Sequence, residues 1–214
     1  MNVSPATEKE VADIVAVHLT AFPDFFLTLL GERFLRRFYG AVLRDASALS
    51  FVGYVNGSVA GFVVGTIQPA QFFRKLLLRQ GLGFCLDALG AFLRRPWFVG
   101  RRLVRGLTYR GEAPQEMKSN AALVSSIAVL PAAAGTGLAT ALLHAFCEAA
   151  DRRGSTSVYL LTDRDDNPAA NRFYLKAGFT LETELVRSGQ RPMNRYIRTL
   201  HGARNDERQS ETQH

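Results

Sequence analysis

Two short runs hold the residue types from which a reactive site could be built. The first is Val129-Leu130-Pro131-Ala132-Ala133-Ala134-Gly135-Thr136-Gly137-Leu138-Ala139, set between a strand-like apolar run and a helical pattern. Backbone N–H groups at the start of a helix lack a partner inside it and carry partial positive charge. Small residues let a phosphate come close to those amides, so this run suits a pyrophosphate. It lacks the Lys-Ser/Thr of a P-loop and the third spaced glycine of a dinucleotide fingerprint. Taken alone, its G-x-G is more often a tight strand-to-helix turn and nothing else. The second run, about thirty residues on, is Asn167-Pro168-Ala169-Ala170-Asn171-Arg172-Phe173-Tyr174-Leu175-Lys176-Ala177-Gly178-Phe179. Asn167 can cap a short helix with Pro168 at its first position, and Gly178 ends it. Tyr174 brings a phenol of ordinary pKa about 10.

Together, in this order and spacing, the two runs resemble the GNAT superfamily of acyl-CoA-dependent N-acyltransferases. That family's pattern is V-x-P-x-x-[Q/R]-x-x-G-x-[G/A], followed by N-x-x-A-x-x-[FL]-Y-x-x-x-G-F. The resemblance is strong from Leu123 to Phe179, extends by element order to Asn2–Ile67, and is silent over Ala70 to Gly111. It implies that the amides of Gly135, Thr136, Gly137, Leu138 and Ala139 hold the pyrophosphate of acetyl-CoA. Pantetheine would lie beside the preceding strand, against backbone at Ile127 and Val129, where one amide polarises the thioester carbonyl. Asn167 matches the family's asparagine at the coenzyme edge. Tyr174 matches the tyrosine that protonates the departing thiolate, a leaving group whose thiol has a pKa of about 8.5. Against that role stands plain packing of Tyr174 beside Phe173.

Two positions depart from the pattern. Ala134 stands where Gln or Arg is usual, which removes one side-chain contact to phosphate; Arg172 is a substitute to consider. Ala122 and Ser126 stand in the strand where many members place a glutamate base. A water chain, Glu116 or an acceptor arriving unprotonated would then take over the amine proton.

These residues need elements to position them. A strand at Asn2 to Pro5 precedes a helix from about Thr7 to Ala21, stopped by Pro23, and a second helix ends near Asp45. Asn56-Gly57 between Phe51–Val55 and Val59–Ile67 is a hairpin signal. It divides the stretch Ala46 to Phe73, which has no Asp, Glu, Lys or Arg, into runs too short to span a membrane. Pro69 opens a helical segment with the apolar stripe Leu82, Cys85, Leu86, Leu89, Phe92 and Leu93, and Pro96 begins another helix. Ala121 to Val129 reads as a strand, about Gly135 to Arg153 as a helix closed by Gly154, and Thr156 to Thr162 as a strand. Two strands joined by a long helix should be parallel. Strands near Leu181–Arg187 and Met193–Leu200 complete the expected fold: α/β, a GNAT-like mixed sheet, mostly antiparallel with one parallel pair at the coenzyme site, flanked by helices. One domain over 1–201 and a fraying tail over 202–214 are expected.

The net charge of +7 is local. Residues 70–111 hold nine Lys and Arg against Asp87 alone, a net +8, and leave −1 for the rest. This insertion, which also carries Phe72, Phe73, Phe84, Phe92, Trp97 and Phe98, suits the surface of an anionic membrane through Arg101, Arg102 and Arg105. Solvated arginines over helices packed on the domain or in a homodimer are the plainer reading. Nucleic acid fits less well, since aliphatic surface interrupts the charge. The acidic start of the chain argues against a secretory leader, and Cys85 and Cys147 stand apart as core residues, so a cytoplasmic protein is expected, peripheral to the inner face of the membrane if the basic helices act there. His144 and His201 have no metal-ligand spacing, His18 lies on an apolar stripe, and no metal is expected. Asp24, Phe25 and Phe26 would border an acceptor pocket or form a buried aromatic turn. The resulting expectation is acetyl transfer from acetyl-CoA to a primary amine, such as an anionic amino sugar conjugate. A non-catalytic acyl-CoA-binding module and a membrane-surface or oligomerisation protein are the alternatives.

Overall fold

The structure, a computed structural model, describes residues 1–94, 120–165, 167–186 and 192–200. The helix expected from Pro96, the Arg101/Arg102/Arg105 face, Glu116, His201 and the tail lie outside these residues.

Seven strands form one sheet among the described residues: β1 Asn2–Pro5, β2 Ala48–Val55, β3 Ser58–Thr66, β4 Ala121–Val129, β5 Ser157–Asp163, β6 Thr180–Leu185 and β7 Met193–Thr199. Their order is β1-β2-β3-β4-β5-β7-β6, antiparallel except for the parallel β4–β5 pair. The helices are α1 Val11–Ala21, α2 Phe26–Leu29, α3 Glu32–Leu43, α4 Pro69–Arg94, α5 Leu138–Arg152 and α6 Pro168–Lys176. The expected mixed sheet, with its parallel pair joined through a helix, is the observed one.

Local chemistry explains the elements. Thr7 and Glu10 form a capping box ahead of α1. Asn56 (φ 51°) and Gly57 (φ 79°) are both left-handed, as a two-residue hairpin turn of the primed type requires. Helix α5 begins at Leu138 and not near Gly135, because Gly135 and Gly137 have φ of 76° and 88°. Neither angle fits a right-handed helix.

Apolar periodicity sorts the helices between the faces of the sheet. On one face α1, α3 and the start of α4 bury Ile14, Leu35, Tyr39, Phe62 and Phe72. On the other, α5 and α6 bury Leu138, Leu142, Phe146, Tyr174 and Phe179. No helix among the described residues is long and apolar enough to cross a membrane.

Candidate active site

The parallel pair is short. Ala121 to Val124 pairs with Ser157 to Leu160, and beyond that the strands part. β4 continues to Val129 along β3, and β5 to Asp163 along β7. A β-bulge opposite the Val64–Gly65 step leaves Ser125 as an extra, exposed residue on β4. The bulge changes which side chains face α5: Ala122 and Val124 before it, Ile127 and Val129 after it.

The backbone alternation then decides what the parted edge offers. Leu130 N–H donates to Ala60 O at 2.7 Å, continuing the β3–β4 register. Hydrogen-bonded and non-hydrogen-bonded pairs alternate, so Ser126 and Ala128 turn their main-chain groups to β3. Ile127 and Val129 turn theirs away, into the opening between β4 and β5. Such groups, left without a ladder, are donors and acceptors for an extended ligand.

The strand runs directly into the glycine turn. Ala134, Gly135, Thr136 and Gly137 are exposed, and Ala139 is half-buried. The Thr136 hydroxyl donates to Ala133 O at 2.8 Å and accepts from Leu138 N–H at 3.4 Å, which fixes the turn from within. No side chain caps α5, and its first main-chain bond is Ala141 N–H to Gly137 O at 3.0 Å. Of the amides ahead of Ala141, Thr136 N–H is directed to Ala133 O at 3.4 Å and Leu138 N–H to Thr136 Oγ1, while those of Gly135, Gly137, Ala139 and Thr140 have no partner among the described residues and lie at the positive end of the helix dipole. A Cβ at Gly135 would meet nothing within 4 Å, so the approach to these amides is open. Leu138 holds the turn from below: its side chain is fully buried and its N–H goes to the Thr136 hydroxyl. It seats on Gly53 of β2, where a Cβ would lie 2.5 Å from Leu138 Cδ1. Ile127, Val129, Leu138 and Tyr174 belong to one apolar cluster.

Helix α6 follows β5 beyond the parting. Asn167 caps it, accepting from Ala170 N–H at 3.4 Å, and its amide donates to Thr162 Oγ1 at 3.4 Å. Tyr174 is 8% exposed, among Phe173, Phe179 and Tyr196. Burial pushes its phenol up to about 12. Its hydroxyl makes no hydrogen bond with another described residue. A phenol in this state keeps its proton at neutral pH and has it free to give.

Asn171 escaped the sequence reading. Its Nδ2 donates to Asn167 O (2.8 Å) and Asp163 O (2.9 Å), while its Oδ1 accepts from Asn194 Nδ2 (2.8 Å) and Tyr196 Oη (2.9 Å). One side chain thus joins the end of β5, the start of α6 and β7. The doubled asparagine, 167 and 171 on adjacent turns, was the available signal.

On the opposite face His18 is fully buried, with Nδ1 2.7 Å from Tyr39 Oη and with Nε2 unpartnered. Burial lowers its pKa to about 4, so it is neutral. Burial raises the Tyr39 phenol, a shift opposed by a hydrogen bond with the Ser126 hydroxyl. Half-buried Ser126 and buried Tyr39 and His18 therefore form a polar chain from β4 to α1. Phe25, in the loop expected to border an acceptor pocket or to form a buried aromatic turn, contacts His18 and is 51% exposed. Ala122 is buried core, and Arg172 is exposed and forms no ion pair with a described residue. His144 pairs with Glu148 at 3.1 Å, and Cys147 is a buried thiol pushed up to about 11 by burial. Among the described residues no group of His, Cys, Asp or Glu is placed to hold a metal ion.

A parted parallel pair, with strand amides feeding a glycine turn and a helix start, can take an extended ligand that ends in phosphate. A family model described as "Acetyltransferase (GNAT) family" matches residues 12–179. The chain belongs to the GNAT acetyltransferase family. Among solved structures, the ribosomal-protein-alanine N-acetyltransferase from Brucella melitensis is 16% identical, with a TM-score of 0.61 over 94% of this chain and 100% of that one. A protein described only as an acetyltransferase is 21% identical, with a TM-score of 0.60 over 94% and 100%. Aminoglycoside 6'-acetyltransferase type Ii is 12% identical, with a TM-score of 0.59 over 93% and 97%. At these identities the likeness is one of fold. No curated protein matches in sequence.

Proposed function

We propose that this protein is an N-acetyltransferase that moves an acetyl group from acetyl-CoA to a primary amine within a ternary complex. The observation that carries the reading is the row of unpartnered amides that runs from Ile127 and Val129 to Gly135, Gly137 and Ala139, with Thr136 and Leu138 holding the same turn from within. Acetyl-CoA is a thioester carried on an extended pantetheine arm that ends in a pyrophosphate. The strand amides suit the arm and the turn suits the phosphates. One strand amide facing the thioester oxygen stabilises negative charge as the amine attacks. Tyr174 donates its proton to the departing thiolate, and Asn167 borders the coenzyme while it holds the start of α6.

β4 holds no carboxylate for the attacking amine, so the acceptor enters as the free base and its proton passes to water. The acceptor class we favour is an amine on an anionic conjugate, such as an amino sugar. The exposed Phe25 ring, in the loop between α1 and α2, gives such a molecule a surface to lie on.

Gly137→Glu tests the coenzyme assignment. It sets a carboxylate where the pyrophosphate would lie, and like charges at that distance should weaken acetyl-CoA binding about 100-fold. Gly137→Asn tolerates left-handed φ and separates strain from charge. Calorimetry on both folded variants reads the outcome, and unchanged affinity in Gly137→Glu removes the turn from the site. A non-catalytic acyl-CoA-binding module is the second reading, favoured by Ala134 and by the carboxylate-free β4. Acetyl-CoA-dependent thiol release across amino sugars, polyamines, amino acids and peptide amino termini separates the two.

A further inference from the structure

Helix α4 runs for 26 residues beside α3. Its inner side is occupied. Phe72, Leu76 and Phe84 are buried in the α1–α3 cluster. The Asp87 carboxylate is sunk between the helices, 2.6 Å from Arg37 Nε and 4.0 Å from Arg33 Nε. At Gly83 a Cβ would stand 2.8 Å from the Arg37 guanidinium, so the helices are in close contact there.

The outer side of α4 is different. Leu77, Leu78 and Leu86 are 45%, 77% and 70% exposed, three of the eight large apolar side chains exposed among the described residues. Arg74, one turn before Leu78, and Arg79 beside it are exposed. Arg74, Lys75 and Arg79 form no ion pair with a described residue. Lys75 and Arg79 line a cleft of about 320 Å³ with Arg153, and Arg33, Arg36, Arg37 and Arg44 line one of about 510 Å³ between α3 and α4. Asp45 of the first cleft is engaged by the Ser47 amide and hydroxyl at 2.8 and 2.6 Å. The surface thus joins exposed leucines to more cations than carboxylates: Asp87 takes Arg37 and Arg33, Glu32 takes Arg36, Glu8 takes Arg44 and Asp45 faces Lys75 and Arg79, while Arg74 pairs with no described residue.

We propose that this outer side of α4 docks on an anionic lipid bilayer. Leu78 and Leu86 enter the boundary between headgroups and acyl chains, while Arg74 and Arg79 meet lipid phosphates. Charge complementarity selects this occupant. A second copy of the chain would bring like charges together, and a nucleic acid would leave the leucines facing water against its phosphates. A bilayer satisfies both kinds of group at once, each nearby Lys or Arg contributing about five-fold to partitioning. The inference does not depend on acetyl transfer.

Flotation of the full chain with vesicles tests it. Binding is expected at low salt to vesicles of phosphatidylcholine with one-quarter phosphatidylglycerol, not to phosphatidylcholine alone, and should fall as salt rises. Arg74→Gln with Arg79→Gln should lower the partition coefficient about 25-fold. Leu78→Asp with Leu86→Asp should abolish flotation, with an unchanged melting temperature showing that the fold is intact. Absence of flotation with anionic vesicles at low salt overturns the proposal. So does flotation that the leucine variant leaves unchanged. Binding to duplex RNA that survives the leucine variant, without vesicle binding, assigns the face to nucleic acid instead.

Discussion

The two faces of the sheet solve different problems with different atoms. On the α5–α6 face the candidate chemistry is written almost entirely in main chain: outward amides on β4, a glycine turn and an uncapped helix, with Tyr174 as the one side chain given a proton to move. On the α1–α3–α4 face the polar content is side chain: His18 on Tyr39, Arg37 on Asp87, and an arginine surface outside. Main-chain sites are set by backbone path and tolerate drift in side chains. Side-chain sites keep their function only while particular residues stay. This contrast explains how Ala134 can replace the usual Gln or Arg of the turn while the path of that turn is kept.

The sharpest way to break the contrast is Tyr174→Phe. It removes the single side-chain proton donor from an otherwise main-chain site. Turnover should fall about 100-fold with acetyl-CoA affinity and stability preserved, since the hydroxyl makes no bond with a described residue. Loss of coenzyme affinity instead would make Tyr174 a binding residue. Asn171→Ala tests whether the same face is as independent of side chains as it looks. Two donors and two carbonyls lose a partner, and chemical denaturation should show a loss of about 3 kcal/mol. A loss under about 0.5 kcal/mol would show that water replaces the asparagine.

On the other face the buried imidazole predicts a pH dependence. His18 has its pKa lowered to about 4 by burial, against an ordinary 6.5, so the unfolded chain binds more protons between those values. Stability is then full above about pH 6.5 and is lost as pH falls toward 4, by about 3 kcal/mol. Denaturation midpoints measured across that window should slope accordingly, and His18→Gln should remove the slope. The smallest effect belongs to the exposed Arg44–Glu8 pair at 2.8 Å. Its double replacement by Ala should change stability by less than about 1 kcal/mol.

Much of the α5–α6 face was legible because its signals are local. Gly135 and Gly137 mark positive φ, Asn167-Pro168 marks a helix start, and Asn56-Gly57 marks the hairpin, each within a few residues of the feature it produces. The start of α5 at Leu138 was missed by one turn, since apolar spacing alone continues back through residues whose backbone cannot be helical. The bulge at Ser125 left no mark in composition, because it is set by the register against β3. Asn171 was overlooked because Asn194 and Tyr196 come from more than twenty residues away. Arg37 and Asp87, fifty residues apart, were invisible for the same reason. His18 read as apolar-stripe packing, which half describes it: Nδ1 has found Tyr39, while Nε2 has found nothing.

The parting of β4 from β5 leaves a seam in the middle of the sheet, where most proteins keep their best-protected hydrogen bonds. Unpaired strand edges are the surfaces through which chains add to one another and aggregate. A pantetheine arm laid along Ile127 and Val129 would serve as a substitute strand, closing the seam from one side. By mass action, a ligand that binds only the folded chain adds stability in proportion to the logarithm of its concentration. A ligand laid in the seam would then raise the melting temperature as its concentration rises, with no new contact between the strands themselves.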